Sequence, residues 1–214
     1  MTKPVNSKLY LERKEVTDSK SLVALYNERV RNLGYSGRTM FYKDEAQHQR
    51  KLQQFAAMLD QVLRPEETLL DVGCGYGSLF PLLPKCRYKG IDIVPEFISC
   101  AQTRYPHGEF AVEDIHNTSE KYDWCVLLGV VNGVAEPTKL IEATWQSCLK
   151  GLIVDFIDAK RFRGRFLNRF RLGDCLSDFL DFDAHSVEVF PTPDVWTIFI
   201  VRKTFGSTAP GCFK

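Results

Sequence analysis

Thr68-Leu69-Leu70-Asp71-Val72-Gly73-Cys74-Gly75-Tyr76-Gly77 is the stretch that decides the fold. A short apolar run leads straight into three glycines at alternate positions. A run of this kind, bounded by turn residues, reads as a strand buried on both faces. Glycine has no Cβ, so the backbone beyond the strand can turn sharply and approach a ligand closely. A helix following the loop would add free N–H groups for a ligand's anionic end. The spacing is G-x-G-x-G, and Ser78 occupies the place of the last glycine of a dinucleotide-binding G-x-G-x-x-G. A tight turn without a ligand is the plainer use of the same cluster.

Outward from the loop, strands and helices alternate. Residues 88–92 read as a second strand, 110–112 as a third, 124–131 as a fourth and 152–157 as a fifth. Pro95 suits the first turn of a helix carrying Phe97, Ile98 and Ala101, and Pro137 opens another through Trp145, closed by Gly151. This alternation predicts a parallel, doubly wound sheet. Residues 186–190 and 195–201 are two further strand-like runs, joined by Pro191-Thr192-Pro193-Asp194. So short a link excludes a parallel crossover and predicts an antiparallel hairpin. Upstream, Asp18 or Ser19 caps a helix through Leu33 with Gly34 as its stop, and a second helix runs from about residue 44 to 62.

Carboxylates stand at successive strand ends. Asp92 ends the second strand, beside the glycine loop, where a carboxylate can accept from both hydroxyls of a ribose. Asp114, just past the third, is placed to accept from an exocyclic adenine amine. Either alone reads equally as a solvated strand-end acid. With Asp71 they form a set of three along the crevice where such sheets bind ligands.

On these residues the chain resembles the class I S-adenosylmethionine (SAM)-dependent methyltransferases, over residues 67–203 and most closely at 70–77. The resemblance implies a Rossmann-like, mostly parallel seven-stranded α/β sheet with a C-terminal antiparallel hairpin and an N-terminal helical lid. It implies SAM as cofactor and S-adenosylhomocysteine (SAH) as product. Gly73, Cys74 and Gly75 would pass under the methionine moiety, with Asp71 near its amino group. Asp92 and Ile93 would meet the ribose, Asp114 and the Ile115 backbone the adenine, and Leu128 and Gly129 the sulfonium. Phe41, Gln47 and Arg50 are also similar to a W-x5-Q-x2-R pattern of small bacterial methyltransferases, with phenylalanine in the tryptophan position. Gln47 and Arg50 share a helical face and could reach one ligand, the guanidinium suiting the methionine carboxylate. An exposed helix with an ordinary Gln and Arg is the alternative.

Methyl transfer, an in-line displacement at a sulfonium carbon, needs a positioned nucleophile and, for a protonated oxygen or nitrogen, a base. His116, Asn132 and Tyr42 are the candidates near the crevice mouth, though His116 reads equally as a solvated strand-end histidine and Tyr42 as a packing ring. The segment 127–133 lacks the Asn-Pro-Pro-Tyr type of motif used on adenine or amide nitrogens, no Pro-Cys pair offers a nucleophile, and no acidic cluster implies a metal. Residues 160–171 hold six basic side chains and no acidic one, with Phe162, Phe166 and Phe170 interleaved. They could grip a phosphate, a carboxylate or RNA, or form an amphipathic helix with phenylalanines inward.

With 28 basic and 27 acidic residues, no global field draws the chain to nucleic acid or anionic membrane. Seven cysteines at irregular spacing predict reduced thiols in a cytoplasmic protein, and neither a signal peptide nor a membrane-spanning run is evident. The expected organisation is an N-terminal arm and lid over 1–64, a methyltransferase domain over 65–204 and a tail over 205–214. The expected partner is a small-molecule methyl acceptor, with nucleic acid less favoured; the alternatives are an RNA or protein methyltransferase using the basic 160–171 segment and a non-catalytic SAM-binding or partner protein.

Overall fold

The structure is a computed structural model that describes residues 18–162, 167–182 and 184–203. Seven strands form one sheet in the order β3-β2-β1-β4-β5-β7-β6. They are β1 (Thr68–Val72), β2 (Arg87–Asp92), β3 (Glu109–Val112), β4 (Tyr122–Leu127), β5 (Cys148–Ile157), β6 (Ala184–Pro191) and β7 (Trp196–Lys203). The first five are mutually parallel, and β7 runs antiparallel to both β5 and β6. The helices are α1 (Ser19–Leu33), α2 (Glu45–Val62), α3 (Pro95–Arg104), α4 (Pro137–Ser147) and α5 (Leu172–Asp181). No helix of the described residues is long and apolar enough to cross a membrane.

Strand alternation assigns side chains to two cores. Leu70, Val72, Leu127, Val154 and Phe199 face one side, under α4 and α5 through Leu140, Trp145 and Phe179. Leu69, Trp124, Val126, Ile153 and Ile198 face the other, under α2 and α3 through Phe55, Leu59 and Ile98. With apolar layers on both faces, the central strands have no polar side to offer, which is why they read as continuous apolar runs. α1 packs through Val23, Tyr26 and Val30 on Tyr76, Val94 and Phe97, above the glycine loop. Its start is fixed by a reciprocal cap between Asp18 and Ser21, and Gly34 ends it at φ 65°.

Four local expectations are corrected. No α-helix follows the glycine loop. Turns lead to a single 3₁₀ turn at Phe80–Leu82, because Pro81 and Pro84 remove amide donors within one helical turn. β4 ends at Leu127 and not at 131, since Gly129 at φ 78° swings the chain out of the sheet. β5 begins at Cys148, directly after α4. Gly151 lies inside that strand and leaves room for the Trp124 ring, which a Cβ there would meet at 2.6 Å, so it is no helix stop.

The described part of 160–171 is not helical. Phe170 instead bonds the end of β5, its N–H donating to the Ile157 carbonyl (2.8 Å) and its carbonyl accepting from Ala159 (2.9 Å). Arg163, Arg165 and Phe166 lie outside the described residues, as do the arm at 1–16 and the tail at 205–214. The helix of this region is α5, whose ten residues begin directly after the segment.

Candidate functional site

A crevice of about 230 Å³ opens at the carboxyl ends of β1, β2, β3 and β4. Asp71, Gly73, Cys74, Gly75, Asp92, Ile93, Asp114, Ile115, Leu128 and Gly129 all line it, as do Tyr42 and His116. Gln47 and Arg50 do not. Gln47 Nε2 and an Arg50 guanidinium nitrogen both lie 3.4 Å from Asp194 Oδ1, in the turn between β6 and β7. The 47/50 face of α2 therefore points toward the β6–β7 hairpin, while His48 and Leu52 point into the crevice. Asn132 is also withdrawn from the crevice lining. Its amide donates to Asp155 (3.2 Å) and accepts from the Ile157 N–H (2.9 Å), and the residue is 2% exposed.

The glycine loop is tied to β2 at both backbone and side chain. The N–H groups of Gly73 and Cys74 donate to the Ile91 carbonyl at 2.8 and 3.0 Å. Gly75 N–H donates to one Asp92 oxygen (3.0 Å) and Val94 N–H to the other (2.9 Å). Gly73 and Gly75 sit at φ 72° and 55°, where a side chain is strained. A Cβ at Gly73 would lie 2.6 Å from Val130, and one at Gly75 would strike Met40. Burial pushes the Asp92 carboxyl up to about 6, against the backbone N–H groups that favour its charge. Burial likewise raises Asp71 to about 7. The Tyr88 hydroxyl, donating at 2.9 Å, works against that rise and nearby Asp92 adds to it. Asp114 caps the turn Ile115–Asn117, accepting from the His116 N–H (3.0 Å), and lies 2.7 Å from His116 Nδ1.

The turn that forms the opposite wall, Leu128–Gly129, is held from behind by distant segments. Lys51 of α2 is 3% exposed, and its Nζ lies 2.6 Å from an oxygen of fully buried Asp155 on β5. Asp155 also accepts from the Gly129 N–H at 2.5 Å, so the ion pair anchors the turn that carries Leu128 and Gly129. Lys51 Nζ sits 4.8 Å from the Trp196 ring and 5.4 Å from the Tyr42 ring. Burial, and then Asp155, hold the Tyr42 phenol well above its ordinary pKa. A phenol so held keeps its proton, so this site offers Tyr42 as a donor or a wall and not as a base.

His48, Lys51 and Asp155 did not emerge from the motif reading. A signal for each was available. His48 and Lys51 fall on the stripe with Leu52, Phe55 and Leu59 that α2 buries, and Asp155 interrupts an otherwise apolar strand. A charged group on an apolar face needs a partner.

The sheet order and the strand-end crevice are those of the Rossmann-like fold found in SAM-dependent methyltransferases. Comparison with known proteins agrees. Residues 70–151 match the family model described as a methyltransferase domain. The chain is 32% identical over 108 residues to malonyl-[acyl-carrier protein] O-methyltransferase of Acetivibrio thermocellus. That match spans 46% of this chain and only 38% of the relative's length. Among solved structures, magnesium protoporphyrin IX methyltransferase from Synechocystis with bound SAH superposes with a TM-score of 0.69 at 20% identity, over 87% of this chain and all of that one. An amino pentose methyltransferase from Micromonospora echinaspora with bound SAM gives 0.59 at 16% identity, over 72% of this chain and 91% of that one. Those two neighbours carry SAH and SAM, respectively.

Proposed function

We propose that the protein transfers the methyl group of SAM to a small-molecule acceptor, with α1 and the segment to residue 64 acting as a lid over the domain at 65–204. In this reading Asp92 holds the ribose, Asp114 and Ile115 the adenine, Asp71 the amino end of the methionine moiety, and the Leu128–Gly129 turn borders the sulfonium. The charge of the crevice carries the proposal. Six carboxylates line it (Asp18, Asp71, Asp92, Glu113, Asp114 and Glu136), and among the described residues no lysine or arginine does. That field suits a cofactor bearing a sulfonium and an ammonium, and opposes a polyanion such as RNA. Two arginines of the basic segment are engaged within the chain: Arg161 donates to the Pro193 carbonyl (2.9 Å) and Arg169 to that of Phe162 (3.1 Å).

The test is incubation with methyl-labelled SAM and a panel of small amines, phenols and carboxylic acids, with bulk RNA alongside. Label in a small molecule, reduced in Asp92→Asn, supports the proposal. Label in RNA alone contradicts it, and SAM binding with no transfer at all points to a non-catalytic SAM-binding protein.

A further inference from the structure

His48 is the one residue that α2 turns into the crevice with a nitrogen to spare. The ring is 4% exposed, stacked on Tyr42 at 4.7 Å between centroids and meeting Tyr76 edge-on at 6.2 Å. Its Nδ1 lies 3.3 Å from Glu45 Oε1. A carboxylate can only accept, so Nδ1 carries the proton and Nε2 keeps the lone pair. Glu45 is itself fixed, accepting from the Gly37 N–H (2.8 Å) and the Gln49 amide (2.9 Å). Among the described residues Nε2 takes no hydrogen bond.

The surroundings keep the imidazole neutral. Burial lowers its pKa below the ordinary 6.5, Glu45 pulls it back up, and Lys51 pushes it down. The groups facing it are Glu45 and Lys51 of α2, Tyr42 of the preceding turn and Tyr76 of the glycine loop. A neutral histidine with an oriented carboxylate behind it is the arrangement a general base requires.

Its place in the crevice separates it from His116. His48 stacks on Tyr42, whose hydroxyl lies against Gly129: a Cβ added there would be 3.1 Å away. Gly129 borders the sulfonium in the reading above, whereas His116 is bonded to Asp114 at the adenine end and is half exposed.

We propose that His48 is the general base of the transfer and that the acceptor is protic, a hydroxyl or an amine. This rests on the SAM-dependent reading. The acceptor's lone pair bonds the methyl carbon as the carbon–sulfur bond breaks. Sulfur keeps that electron pair and becomes the thioether of SAH. The acceptor's proton passes to His48 Nε2 and from there to water. Glu45 is a positioning residue that selects the tautomer.

The experiment compares His48→Gln and Glu45→Gln with wild type, using the amines and phenols of the panel and, separately, SAH titration. His48→Gln is expected to lower kcat by about 10²-fold or more, with SAH affinity kept within about twofold and the acidic limb of the pH–rate profile lost. Glu45→Gln is expected to lower kcat less and to move that limb to lower pH, because the anion that raised the histidine's pKa is gone. Nitrogen-15 NMR of the SAH-bound protein is expected to show the Nδ1–H tautomer at position 48.

Wild-type kcat in His48→Gln, a fall in SAH affinity matching the fall in kcat, or an Nε2–H tautomer would each overturn the assignment. Transfer to carboxylic acids alone would overturn it too, while leaving the SAM-dependent reading intact. If wild type methylates nothing in the panel, that broader reading fails, and the tautomer still decides whether position 48 presents a lone pair.

Discussion

The two walls of the crevice are made differently. The inner wall, at the ends of β1, β2 and β3, comes from one contiguous stretch, and it holds two buried carboxylates, Asp71 and Asp92, with no cation beside them. The outer wall, the Leu128–Gly129 turn, is held from behind by Lys51 joined to Asp155, 104 positions apart, with Tyr42 and Trp196 around the pair. One wall keeps uncompensated acidity for a ligand to meet. The other is already neutralised and serves as an anchor. Buried charge is thus spent in two ways within one site, and substitutions separate them.

The largest effect belongs to the anchor. Lys51→Met leaves Asp155 buried without its partner and should cost about 3–5 kcal/mol of stability, read by urea unfolding. Lys51→Met with Asp155→Leu should recover much of that loss. A loss below about 1 kcal/mol for the single variant would erase the distinction between the walls.

Asp92→Asn should act in the opposite sense, on binding more than on folding. Losing charged hydrogen bonds to the ribose should cost SAH about 1.5–3 kcal/mol, or roughly 10–100-fold in Kd. The folded protein should be unchanged or slightly more stable, since a buried acid has been removed. A calorimetric titration and a thermal melt on the same sample read both.

The third effect is pH dependence. Asp71 and Asp92 are raised to about 7 and about 6 from an ordinary 3.8. Carboxyls raised on folding contribute stability that is complete below the unfolded value and lost as pH rises through the folded values. The ligand-free protein should therefore weaken from about pH 4 to pH 7. Cationic SAM favours the charged acids, so binding should release protons and tighten as pH rises to about 7, by about tenfold per pH unit for each acid still protonated, and level off above it. Asp71→Asn should flatten the upper part of that rise, visible as a smaller dependence of binding enthalpy on buffer.

The smallest effect is Arg50→Ala. Its 3.4 Å contact with Asp194 is exposed and off the crevice, so the change should stay within about 0.5 kcal/mol in stability and leave SAH affinity unaltered. A clear loss of affinity would return Arg50 to the cofactor.

The same contrast explains what could be read beforehand. Strand ends and glycine turns are local events, so β1, the 73–77 loop and the acids that follow were legible from spacing, and so was the terminal hairpin. Which way α2 faces was not: Gln47 and Arg50 have the spacing to share a ligand, but the β6–β7 turn takes that face and gives the crevice to His48. The Phe162–Phe166–Phe170 period suggested a helix that the described residues do not form, because Phe170 found backbone partners at the end of β5. Long-range pairing outweighs periodicity wherever the two compete.

Calorimetric titration of SAM and SAH into wild type and Asp92→Asn decides whether the acidic strand ends hold SAM. Micromolar binding by wild type, weakened at least tenfold in a folded Asp92→Asn protein, is the predicted result. Equal affinity in both proteins, or none in well-folded wild type, would contradict the account.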